Sequence, residues 1–88
     1  MCIKRRRRKP DAFRRAIARA LIEARQRTGL SQERLALEAG VNRTFVSGIE
    51  RGLHEPTLRT IWRLAPKLHT QPRKLIALIE AYHPPTDG

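Results

Sequence analysis

The chain has a single cysteine, Cys2, in 88 residues, so no intramolecular disulfide can form. That suits a reducing cytosol. No apolar run is long enough to span a bilayer, and no membrane role is expected. Met1-Cys2 leads directly into a basic run without an apolar stretch, the pattern of neither a signal peptide nor a lipoprotein signal. Strand-like alternation and internal repeats are both missing. His54, His69 and His83 lack metal-ligand spacing with Cys2 or with one another. No glycine-rich phosphate loop follows a strand. Cys2 has no evident positioned base, which a catalytic thiol needs. These absences argue against an enzyme, and neither a cofactor nor a small-molecule ligand is expected. Acidic residues are also scarce: eight against 19 Lys and Arg, for a net charge of +11 and a pI near 11.6. Such a balance calls for a polyanionic partner, nucleic acid ahead of an anionic membrane.

What is present fits one small domain whose core is limited and whose stability can draw on a partner subunit. Lys4-Arg5-Arg6-Arg7-Arg8-Lys9 holds six of the basic residues. A block of like charge repels itself, so residues 1–10 are expected to form a flexible arm. That arm is either a solvated tail or a strap on phosphates or a minor groove. Residues 11–82 are expected to fold, and residues 83–88, with two prolines, to form a frayed tail.

Helical periodicity runs through the folded part. Phe13, Ile17, Leu21 and Ala24 recur at spacings of three and four, with Asp11 as a cap, predicting a helix over 12–27. Gly29 supplies its stop. Ser31 caps a second helix over 32–39, with Leu35, Ala36 and Ala39 inward, and Gly40 ends it. Val41 plugs the turn. Asn42 caps a third helix over 43–51, stopped by Gly52. Val46 and Ile49, with Phe45 beside them, face inward, whereas Thr44, Ser47, Gly48 and Arg51 face away. Thr57 caps a fourth helix with Leu58, Ile61, Leu64, Ala65 and Leu68 apolar. Pro66 should kink or end it. A fifth begins near Gln71-Pro72 and continues to about residue 81. Leu75, Ile76, Leu78, Ile79 and Tyr82 give this last helix more apolar surface than one small core absorbs.

Gly29-Leu-Ser-Gln, Leu35-Ala, Ala39-Gly-Val, Val46-Ser-Gly-Ile-Glu-Arg-Gly52 and Pro56-Thr-Leu stand in the order and spacing of a known pattern. Over roughly residues 12–80 the chain resembles the phage lambda repressor and Cro-like (XRE-type) helix-turn-helix regulators. The segment from Asn42 to Arg51 is similar to the recognition helix of restriction–modification controller proteins. The resemblance implies an all-α bundle of about five helices, with helix 3 in the major groove and helix 2 across the backbone. By position it implies base reading by Arg43 and Thr44, with Ser47 in support. Gly48 also falls at a base-reading position, but it has no side chain to read with. The resemblance further implies phosphate contacts from Ser31, Gln32, Arg51, Thr57, Arg59 and Thr60, and an ion pair between Arg25 and Glu50 tying helix 1 to helix 3. An arginine matches the guanine O6 and N7 acceptors, and a threonine can bond or pack on a thymine methyl.

One such domain reads few bases, so a homodimer on a palindromic double-stranded site is expected. Leu75, Leu78, Ile79 and Tyr82 of helix 5 are its expected interface, together with Trp62, which stands off the helix 4 stripe. The expected function is a cytoplasmic, nucleoid-associated DNA-binding regulator of a bacterium or phage. The alternative is an antitoxin-like protein that neutralises a partner and represses its own operon.

Overall fold

Four polar side chains start four helices. In the computed structural model, which describes residues 11–85, Asp11 Oδ1 accepts from the Arg14 backbone N–H at 2.8 Å and opens α1 (Ala12–Thr28). Ser31 Oγ accepts from Arg34 N–H at 3.0 Å and opens α2 (Gln32–Ala39). Asn42 Oδ1 accepts from Thr44 N–H at 2.7 Å and opens α3 (Arg43–Glu50). Thr57 Oγ1 accepts from Thr60 N–H at 3.1 Å and opens α4 (Leu58–Lys67). Each cap satisfies a first-turn donor that has no intrahelical partner. Only α5 (Pro72–Tyr82) lacks a side-chain cap, and there Pro72 fits because its missing N–H is one of those orphans. The described residues hold no strand. The arm expected over residues 1–10, with Cys2, lies outside the described residues, as does the end of the tail beyond Pro85.

The helix ends are equally local. Gly29, Gly40 and Gly52 have φ of 78°, 72° and 78°, a left-handed turn that costs a side-chain-bearing residue about 1–2 kcal/mol. After α4 that place falls to His69, with φ 59°. Thr70 N–H reaches Ala65 O at 3.0 Å and His69 N–H reaches Pro66 O at 3.1 Å, the paired bonds of a left-handed helix stop. The helix α4 stops one residue beyond Pro66, in keeping with a ring that removes a backbone donor in its last turn. The third helix is one residue shorter than its spacing predicts, with Arg51 as its C-cap. The first and fifth are each one residue longer.

The core is aliphatic. Leu35, Val46, Ile49 and Leu64 are fully buried, packed with Ile17, Ala20, Leu21, Ala65, Leu68 and Leu75. A side chain of that size contributes roughly 1.5–3 kcal/mol when fully buried. The helix α1 packs against α5 and α3, whereas α2 packs against α3 and α4, and α4 against α5. Two residues placed in apolar stripes by sequence lie outside the core. Phe13 meets the His83 ring edge-on at 5.5 Å, and Leu58 projects into solvent at the start of α4. A second tie joins α5 to α1: the Tyr82 hydroxyl donates to Glu23, and the Arg19 guanidinium lies 4.6 Å over the Tyr82 ring.

Candidate nucleic-acid interface

The helix α3 is held from beneath. Val46 and Ile49 are fully buried and Phe45 is half-buried against the core. This fixes the rotation of the helix. Arg43 and Thr44 are left exposed at its N-terminal end, Ser47 is half-buried, and Arg51 is exposed just past its C-terminus. The Ser31 and Thr57 hydroxyls are exposed at the starts of α2 and α4. Each already accepts a capping bond. Thr57 Oγ1 also lies 3.0 Å from Thr60 Oγ1.

Beneath the exposed face of α3 lies a buried charge. Glu50 receives Arg25 Nε at 2.6 Å and Nη2 at 3.0 Å, and Gln32 Nε2 at 2.8 Å. Arg25 Nη1 donates in turn to Leu30 O at 2.8 Å. The Glu50 side chain is 4% exposed and that of Arg25 is 16%. Hydrogen bonding to Glu50 holds the Arg25 guanidinium above its ordinary pKa, outweighing the opposite pull of burial. One cluster thus joins α1, α2 and α3. It also holds the amide nitrogen of Gln32, a residue expected at phosphate, against the Glu50 carboxylate. At that place the free N–H groups of the first turn of α2 remain available to an anion.

Gly48 departs from the expectation for its place. Helical projection puts it on the outward face with Thr44, but it is buried. The covering group is His54, from the loop after α3. A Cβ built on Gly48 would stand 2.0 Å from His54 Cδ2 and 2.7 Å from its Nε2. The imidazole also stacks on Phe45, with centroids 5.8 Å apart and planes at 26°. Nothing local in the sequence joins His54 to α3. The usable signal was a glycine on an exposed helix face with a ring-bearing residue six positions later.

Exposed cations without an acidic partner among the described residues include Arg63, Lys67 and Lys74 of α4 and α5 as well as those near α3. Among the described residues, Glu23, Glu38, Glu50 and Glu55 are paired with Arg27, Arg34, Arg25 and Arg14. Arg43, Arg51 and Arg59 have no acidic partner there and are exposed. Free cations therefore stand at both ends of α3 and at the start of α4. No group of three or more His, Cys, Asp or Glu is placed to hold a metal among these residues, and no helix is long and apolar enough to cross a membrane.

The apolar face also needs correcting. Leu75 and Ile79, expected at a subunit interface, are buried in the chain's own core. Leu78 and Tyr82 are half-buried against it, and Tyr82 is tied to Glu23. The stripe at spacing four is the one that packs on α1, and Ile76, about 100° around α5, faces out. Ile76, Phe13 and Leu58 line an open apolar groove of about 440 Å³ with Pro56 and His83. Trp62, one turn after Leu58 on α4, is 60% exposed.

Comparison with known proteins fits this geometry. The model of the family described as "Helix-turn-helix" (HTH_3) matches residues 21–75. "Control protein C.BamHI" of Bacillus amyloliquefaciens is 38% identical over 50 residues; the match covers 57% of this chain and 62% of that protein's length. The crystal structure of the restriction–modification controller protein C.AhdI from Aeromonas hydrophila superposes with a TM-score of 0.71 at 40% identity, covering 74% of this chain and 98% of that one. The clp gene regulator ClgR from Corynebacterium glutamicum, at 21% identity and a TM-score of 0.74 over 82% of this chain and 77% of its own, shares the fold.

Proposed function

The chain belongs to the HTH_3 helix-turn-helix family, and from that premise we propose that it is a sequence-specific DNA-binding transcription regulator of the restriction–modification controller type, not an enzyme. It acts in the cytoplasm. The observation that carries this reading is the face of α3: two exposed side chains of base-reading chemistry, Arg43 and Thr44, on a helix anchored by buried Val46 and Ile49. Arg43 donates to a guanine edge, while Thr44 bonds a base or packs on a thymine methyl. Ser47 lies in support. Arg51, Arg59, Thr57, Thr60, Ser31 and the free amides of α2 hold phosphates, which fixes register without specifying sequence. Residues 1–10 supply further positive charge to the backbone as an arm.

The regulator works as a homodimer on a palindromic operator with half-sites about 34–36 Å apart. Its interface is the exposed apolar face of Leu58, Trp62, Ile76 and Phe13. Leu78 and Tyr82 lie on the other side of α5, Leu78 beside Ala24 and Leu68 and Tyr82 on Glu23, and take no part in it. Selection of duplexes from a random pool, followed by footprinting, tests the whole reading. The expected product is one symmetric site with two protected half-sites. Recovery of unrelated sequences at equal affinity would reduce the protein to a charge-driven nucleic-acid binder.

A further inference from the structure

We infer that His54 reads a base pair, its imidazole standing in for the side chain that position 48 lacks. This rests on the DNA-reading function proposed above. The ring occupies the space where a residue-48 side chain would begin: Cδ2, Nε2 and Cγ lie 2.0, 2.7 and 3.1 Å from a Cβ at that position. Residues four apart on a helix share a face, so Gly48 follows Thr44 along the reading surface. The absence of a side chain at 48 leaves the room that the imidazole fills.

The ring is held on both sides. Below it, Phe45 stacks at 5.8 Å and is itself packed against the core. Before it, Leu53 N–H bonds Gly48 O at 2.8 Å and folds the loop back onto α3. After it, Glu55 is paired with Arg14 of α1 at 3.2 Å. Yet His54 remains exposed, and among the described residues neither ring nitrogen has a hydrogen-bond partner. An exposed imidazole with a positioned ring and an unused N–H donor is suited to the N7 or O6 acceptors of a purine edge.

The test uses the full chain and the duplex it selects, with every half-site position varied in turn. His54→Phe keeps a ring on Phe45 and removes both nitrogens. It should fold normally by thermal melt. It should flatten the preference at one position per half-site, where the unaltered protein discriminates by about tenfold, and leave the other positions unchanged. Gly48→Ala should produce the same loss by displacing the ring. Preference retained at every position in His54→Phe would overturn the inference. So would an equal weakening on all duplexes with a shallower salt dependence, the mark of a phosphate contact. If the unaltered protein selects no sequence, the regulator reading falls and this inference with it. If it selects and His54→Phe changes nothing, only the inference falls.

Discussion

Arg25 and Glu50, 25 residues apart, meet through two nitrogens at 2.6 and 3.0 Å, and the carboxylate is sealed from solvent. The pair sets the position of α3 relative to α1 at the C-terminal end of α3, while Val46 and Ile49 set its rotation. Gln32 adds a third donor from α2. The helix α3 is thus braced by charge at one end and by apolar packing along its length.

Removing one partner strands the other in a low-dielectric site. Arg25 would nevertheless stay partly exposed and keep its bond to Leu30 O, so Glu50→Ala should lose less in chemical denaturation than the about 3–5 kcal/mol of a fully buried pair. DNA affinity should fall with it. Gln32→Ala should cost about 1.5 kcal/mol, the low end for a hydrogen bond to a charged group. A Gln32→Ala protein of unchanged stability but uniformly weaker DNA binding would assign that side chain to phosphate after all.

Strain at the end of α4 offers a change in the opposite direction. His69 occupies the left-handed position that glycine takes after α1, α2 and α3. His69→Gly should stabilise the fold by about 1 kcal/mol and raise Tm. A lower Tm would mean that the imidazole contributes more than its backbone costs.

Tyr82 is the chain's one tyrosine, so its phenolate absorbance reports a single group. Its hydrogen bond to the Glu23 carboxylate is the largest cause raising its pKa above the ordinary 10.0, because a phenolate there would lose the bond and face a like charge. A raised folded-state pKa means the tie stabilises fully below pH 10 and is lost as pH climbs through the folded value. Glu23→Gln should bring the titration midpoint back toward 10. An unchanged midpoint would remove Glu23 as the cause.

The proposed dimer face is tested by charge on exposed positions. Ile76→Asp and Leu58→Asp leave the core intact and should give monomers by sedimentation, with weaker operator binding. Dimers surviving both changes would move the interface elsewhere.

Much of the architecture was legible because its determinants are local. Asp11, Ser31, Asn42 and Thr57 each bond an amide two or three residues ahead, and Gly29, Gly40 and Gly52 stop helices by their own backbone freedom. The Arg25–Glu50 tie was legible only through family resemblance, since nothing local pairs residues so far apart. What stayed hidden was non-local or rotational. Apolar spacing shows that α5 has two apolar rows, not which of them meets α1. Leu75 and Ile79 go inward, and Ile76 is left outside. The meeting of His54 with Gly48 depends on how the loop folds back after α3, which no periodicity encodes. Gln32 turned inward because a carboxylate with room for another donor lay within reach.

If exposed side chains on α3 choose a DNA sequence, altering one of them changes base preference and not only affinity. Arg43→Ala tests it most directly, because Arg43 is exposed and has no acidic partner among the described residues. The measurement is affinity across single-base variants of the selected site. The melting temperature should stay unchanged, and preference should be lost at one position per half-site, worth about 1–3 kcal/mol. Base preference intact at every position, with binding weakened equally on all duplexes, would contradict it.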